Sequence, residues 1–281
     1  MKKLLTIMIC MLALSTGIFA YNPPVGAEDM CLLSSPEGLS GNLFTAGSIS
    51  NASGADSILV NPALTAENQR VNLNAGYTFL FDSNDQNESQ IGSAFQTSIL
   101  IPNKLFVFSG YLNGTFIPFN DEMYLGSSIN LKAGLSKEIT DKLNIGISVN
   151  GGFAWKYGVD WSLGFNCGFI YDFGELGFLQ DFRYGASILN LGKNYETCKR
   201  FAIDNEHSVS PFPSIATIKL GAAASLFKND LIDLDAALDF TIPAFQNFIV
   251  DMNLQFTLKQ MLTLSVGEKI NVRELANGHK N

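Results

Sequence analysis

Between Met123 and Lys156 the chain alternates apolar and small polar residues across two long stretches. Met123, Leu125, Ile129, Leu131, Ala133 and Leu135 share one parity, interrupted only by Ser127. After a break at Thr140-Asp141 the pattern resumes with Leu143, Ile145, Ile147, Val149, Gly151, Phe153 and Trp155. Side chains alternate faces along a strand, so this stretch predicts a long two-faced β-hairpin. Its strands exceed the usual five or six residues. The opposite face is built mostly of Gly, Ser and Asn: Gly126, Ser128, Asn130, Gly134, Ser136, then Asn144, Gly146, Ser148, Asn150, Gly152. A water-facing sheet would carry Lys and Glu there. Small neutral polar groups suit a crowded wet interior, and an unbroken apolar face suits hydrocarbon. Together they predict strands of a transmembrane β-barrel.

The same alternation runs from Val71 onward. Val71, Leu73, Ala75, Tyr77, Phe79 and Phe81 mark a first strand. Ser93–Ile101 and Lys104–Phe116 follow, then the hairpin, then Leu163–Phe173 and Phe182–Leu189. Ile218–Leu226, Ile232–Ile242 and Val250–Lys259 continue the series, and another strand begins near Leu262, giving about eleven strands in all. The connections sort by parity, as short periplasmic turns and long external loops would. Pro102-Asn103, Thr140-Asp141, Lys228-Asn229-Asp230 and Lys259-Gln260 are short. Asp82–Gly92 and 190–213 are long, and Gly174–Asp181 is an exception on the short side. Trp155, Trp161 and several Tyr fall near strand ends, where an interfacial aromatic girdle sits.

Composition agrees. Charged residues make up 16% of the chain, against roughly 25% in a typical soluble domain. A net charge of −8 argues against nucleic acid as partner, because nothing would replace counterions around phosphate. Lys2-Lys3, the apolar run Leu4–Leu14 and the small residues to Ala20 read as a cleaved signal peptide, residues 1–20. No later stretch is long and apolar enough for a spanning helix. Residues 21–69 are rich in Gly, Ser, Asn and Pro and read as a compact non-barrel segment, with a short helix near Asp56–Val60. Residues 70–281 form the barrel domain.

Chemistry-bearing motifs are missing. His207 and His279 lack a nucleophile motif around them, and there is no phosphate loop, dinucleotide fingerprint or metal spacing. Neither enzyme activity nor a cofactor is expected. Asp233, Asp235 and Asp239 share a strand face and read as interior wall, since a cation site needs oxygens converging from several elements. Of the cysteines beyond the signal, Cys167 reads as a small hydrophobe on an apolar face. A Cys31–Cys198 bridge is an option in an exported protein.

Just before the first strand stands Gly54-Ala55-Asp56-Ser57-Ile58-Leu59-Val60-Asn61-Pro62-Ala63. This resembles the Asp-Ala…Asn-Pro-Ala element of the FadL/TodX family of outer-membrane long-chain fatty-acid transporters, and most of all their uncharacterised relatives in spirochaetes. Asn190-Leu191-Gly192 is similar to a recurring element of those relatives. The resemblance implies a barrel of fourteen strands, an N-terminal hatch inside it, and capture of hydrophobic solute from outside. It implies that Gly54, Asp56, Asn61, Pro62 and Ala63 belong to the hatch. Pro62 fixes its own φ and restricts Asn61, giving a rigid bend. Asn61 and Asp56 are suited to satisfy backbone groups that lack regular pairing.

The sequence therefore predicts an all-β, FadL-like transmembrane antiparallel barrel with an N-terminal hatch. With about eleven strands it is expected to lack the last strands of that family. The expected setting is the outer membrane of a diderm bacterium. The expected partners are membrane lipid and a hydrophobic small molecule such as a long-chain fatty acid. Two other readings stand beside it: a non-transport surface or scaffold protein on the same barrel, and a soluble periplasmic β-protein with lipid in its core.

Overall fold

A computed structural model describes residues 54–83, 89–116, 127–155, 159–193, 216–245, 247–259, 261–272 and 275. The expected signal peptide, residues 1–20, and Cys31, Cys198, His207 and His279 lie outside the described residues. Eleven strands form one antiparallel sheet in simple sequence order. They are β1 (Asn72–Ser83), β2 (Ser89–Pro102), β3 (Val107–Phe116), β4 (Ser127–Thr140), β5 (Leu143–Trp155), β6 (Asp160–Leu176), β7 (Leu179–Lys193), β8 (Thr217–Lys228), β9 (Ile232–Pro243), β10 (Ile249–Leu258) and β11 (Leu262–Asn271). Among the described residues the sheet does not close as expected: β1 and β11 are its two edges. Alternation reports which face a residue takes, not which strands meet, so closure was beyond its reach.

The two faces are inverted relative to a soluble sheet. Leu73 and Val266 are 70% and 64% exposed, and Tyr77, Ile147, Val149, Leu163 and Leu254 are exposed with them. The other parity is buried although it is polar: Gln96, Ser98, Asn113, Ser148, Asn166, Ser187, Asp239 and Asn253. No second sheet covers the apolar face among the described residues. Cys167 is a half-buried free thiol on that outer face.

The strand ends joined by 103–106, 141–142, 177–178, 229–231 and 259–261 lie at one end of the sheet, the short-connection end, and the strand ends 83 and 89, 116 and 127, 155 and 160, 193 and 217, and 243 and 249 lie at the other, the long-connection end. The apparent exception at Gly174–Asp181 is corrected. β6 and β7 run on to Leu176 and Leu179, and the turn is only Gly177-Phe178. Register shifts between Asp172 and Leu176 break the period of two there, which hid those strand ends from the sequence. Asn190-Leu191-Gly192 sits at another bulge. Leu189 and Asn190 together oppose Asn166. Asn190 adopts φ 58°, a left-handed conformation that asparagine tolerates, and its N–H donates to Asn166 Oδ1 at 2.7 Å. A Cβ on Gly192 would overlap the Leu163 carbonyl.

Two 3₁₀ turns, Ala55–Leu59 and Pro62–Glu67, lie on the polar face of the sheet. The first matches the short helix read near Asp56–Val60. Ala55 packs with Leu100 and Val107 from β2 and β3, while the Val60 carbonyl is bonded by Ser187 on β7. Five residues of 3₁₀ turn advance only about 10 Å. The sheet must therefore curl until β2 and β7 face each other across this segment.

Candidate functional site: the docked segment 54–67

The segment opens at Gly54, with φ 112° and ψ 180°. That region is nearly exclusive to glycine. Among the described residues, its chain neighbours aside, no atom lies within 4 Å of a Cβ built there, so backbone conformation, not space, dictates the residue.

Asp56 is 1% exposed. Its Oδ2 accepts from Asn74 Nδ2 at 2.9 Å and from Gln96 Nε2 at 2.8 Å. Its Oδ1 accepts from the Ser98 hydroxyl. Tyr111 OH donates to Gln96 Oε1 at 3.2 Å, which fixes the amide with its N–H toward Asp56. The sequence reading gave Asp56 backbone partners; it takes side chains of β1 and β2 instead. Those partners were beyond sequence reasoning, because Asn74, Gln96 and Ser98 look like any other inward polar residue. A buried carboxyl needs such donors, since its transfer from water is otherwise very costly. We expect Asp56→Ala to leave the buried Gln96 amide and Ser98 hydroxyl and the half-buried Asn74 amide unmatched. Roughly 1–3 kcal/mol is lost per such group where water cannot enter. The unfolding midpoint in guanidinium should fall accordingly, with Asp56→Asn in between because it trades one acceptor for a donor. An Asp56→Ala protein as stable as the parent would dismiss the carboxyl as an anchor.

Asn61 is fully buried. It precedes Pro62 and is extended, φ −154° and ψ 116°, as the ring of a following proline requires. Its Oδ1 accepts from Ala63 N at 2.9 Å, capping the second turn. Its Nδ2 donates to the Phe169 carbonyl of β6 at 3.1 Å. Pro62 occupies the first position of the turn, where its missing N–H costs nothing. Ala63 and Leu64 pack on Ile170. Here the expected backbone role of Asn61 is what the structure contains.

No protein-family model matches this sequence, and no curated protein matches it significantly.

The sheet meets the segment with one cross-strand row of small residues: Ser136, Gly146, Gly168 and Ser187 on β4 to β7. Thr65 and Ser136 share a hydroxyl–hydroxyl bond of 2.6 Å. A Cβ on Gly146 would overlap the Pro62 carbonyl and come to 2.5 Å from Ala63 N. One on Gly168 would overlap Asn61 Oδ1. Ser187 Oγ donates to the Val60 carbonyl at 2.8 Å. Chain 60–65 thus lies across four strands in a shallow trough, and the trough exists because two of the four residues have no side chain. At its end, Arg183 Nη1 lies 3.0 Å from both carboxylate oxygens of Glu67. On β4 and β5 the row lies near the short-connection ends, and on β6 and β7 it crosses near mid-strand.

Of the residues singled out from sequence, Gly54, Asp56, Asn61, Pro62 and Ala63 all sit in this segment, but they do not converge on one point. Asp56 holds β1 and β2, whereas Asn61 to Ala63 hold β5 and β6. Asp233 and Asp235 lie apart, in a polar pocket of about 310 Å³ with Asp172, Asp181, Arg183 and Lys228. Asp239 is buried farther along β9. Among the described residues no group of three or more acidic, histidine or cysteine side chains is arranged to hold a metal.

Proposed function

We propose that this chain builds the wall of an outer-membrane β-barrel. In this reading segment 54–67 is the inner part of a hatch, and the protein takes up hydrophobic solutes such as long-chain fatty acids. The observation that carries the reading is the inverted sheet, apolar outside and polar within. An apolar surface of this extent has no place in water, and strands cross lipid only with their polar faces turned inward.

Aromatic residues add a scale. Phe95, Phe116, Phe153 and Trp155 contact one another at the long-connection end. Phe169, Tyr171, Phe173, Phe182 and Tyr184 do so at the short-connection end. On β6, Trp161 and Tyr171 are ten steps apart, roughly 33 Å along a strand. Tilted by about 40°, that is on the order of 25 Å, the height of the apolar band of an outer-membrane barrel. The hatch is supported by the trough that receives residues 60–65. The solute class rests on the resemblance of residues 54–63 to the fatty-acid transporters.

A second reading is favoured by one observation. Away from the apolar side chains that pack on segment 54–67, the described inner wall carries Asn113, Lys132, Asn166 and Asp251, which offer a fatty-acid tail little apolar contact. A surface or scaffold protein on the same wall needs no such contact.

The deciding experiment uses full-length protein expressed with its signal. Sedimentation with outer membranes and heat-modifiable gel mobility are expected on either reading. Recovery in buffer without detergent would overturn both. Saturable binding of a fluorescent long-chain fatty acid, lost on deleting residues 21–69, is expected of the transporter. Membrane-integrated protein without saturable binding would leave the scaffold reading.

A further inference from the structure

Strands alternate in direction through the sheet, and the described residues supply eleven of them. Its two edges, β1 and β11, therefore run the same way. Both start at the short-connection end. In hydrocarbon an open edge leaves a row of N–H and C=O groups without partners, which lipid cannot satisfy. We propose that in the membrane the sheet closes on itself through a parallel seam between β1 and β11 of the same chain.

Three observations favour self-closure. About eight strands already suffice for a barrel, and this sheet is curled enough for one short segment to touch both β2 and β7. The edges carry the same code: Leu73, Tyr77 and Phe79 outward on β1, Leu262, Leu264 and Val266 outward on β11. Pairing them continues the apolar exterior without a step. On β11 the opposite face, Thr263, Ser265 and Gly267, is exposed as well, unlike the buried polar face of the central strands. Among the described residues no other strand has both faces uncovered over most of its length, and closure would turn the polar face of β11 inward beside Asn72, Gly76 and Thr78.

The seam inherits its direction from the odd count. Parallel ladders are evenly spaced but slanted and somewhat weaker per residue than antiparallel ones. The β1–β11 junction would then be the weakest line in the wall, and the only one without a turn to hold its register.

This inference rests on the membrane reading above, and its test keeps the two apart. Cys31, Cys167 and Cys198 are replaced by Ser. Thr263→Cys or Ser265→Cys is then combined in turn with Asn72→Cys, Gly76→Cys and Thr78→Cys. Each variant, in membranes, is oxidised and run on gels with and without reductant. The expected result is a reducible, faster-migrating monomer for matched pairs, several-fold above mismatched ones. The best β1 partner should move to a higher number when the β11 cysteine moves from 263 to 265. A partner that moves to a lower number would mean antiparallel pairing and overturn the seam. So would cross-links found only in dimers, which point to a second copy, or none at any pair, which points to another strand seated between the edges. Carbonate washing of the same membranes tests integration separately: washed-out protein defeats the membrane reading, while retained protein with the wrong cross-links defeats only the seam.

Discussion

A single methyl group at Gly146 or Gly168 is expected to expel residues 60–65 from the sheet. At Gly146 the new Cβ would fall on the Pro62 carbonyl and 2.5 Å from Ala63 N. Both belong to backbone, and Pro62 cannot rotate away because its ring fixes φ. At Gly168 it would fall on Asn61 Oδ1 and 3.0 Å from the Ala186 carbonyl. Moving Asn61 gives up the cap on Ala63 N and the bond to Phe169 O together. Overpacking a filled site costs typically 1–3 kcal/mol, and the two lost hydrogen bonds add roughly 1 kcal/mol each. The readout is limited proteolysis: cleavage between residues 54 and 70 should become at least tenfold faster in either variant. The sheet should survive, with unchanged heat-modifiable mobility. Gly151→Ala is the control, because its Cβ would meet only the Ser162 carbonyl at 3.9 Å. Equal cleavage rates in Gly151→Ala and Gly168→Ala would mean that the trough does not hold the segment.

These glycines mark where sequence reasoning stopped. The strands themselves were legible, because a period of two is a local property and every inward or outward assignment on β4, β5, β9 and β10 follows from it. The ends were less so. At Asp172–Leu176 a change of register erases the alternation, and β6 and β7 were read too short. The motif Gly54–Ala63 was legible as an irregular segment with a proline bend. Its receiving surface was not. Gly146 and Gly168 look no different in sequence from Gly126 or Gly152, and Ser136 and Ser187 resemble every other small inward residue. What sets them apart is that they fall in one row across four strands. Register between strands is decided by turns and bulges, not by composition. The partners of Asp56 were hidden for the same reason, being drawn from two strands. Small inward residues have a sufficient explanation in a crowded interior, and only the fold separates those that face a docked chain from those that do not.

An arginine at Val149 is expected to be among the costliest single changes on the outer face, although the side chain it replaces is exposed. Val149 stands at the midpoint of β5, opposite Ala133 and Phe165, and 53% of its surface is uncovered. If that surface meets water, an exposed substitution changes stability by about 0.5 kcal/mol or less. If it meets the middle of a bilayer, an arginine costs about 2–4 kcal/mol, falling to about 0–1 near the interface. Phe153 is the internal comparison. It lies on the same strand and the same face, four residues nearer the aromatic cluster around Trp155, and roughly 13 Å farther along the strand. An arginine there can reach the headgroups. Urea unfolding of protein folded into vesicles should therefore separate Val149→Arg from Phe153→Arg by roughly 2 kcal/mol. Losing a packed ring would push Phe153→Arg the other way, so packing alone predicts the reverse order. Depth in hydrocarbon is the only one of these effects that makes the valine site worse. A result in which the two arginines cost the same, or the phenylalanine site costs more, would return the apolar face to water and take the barrel with it.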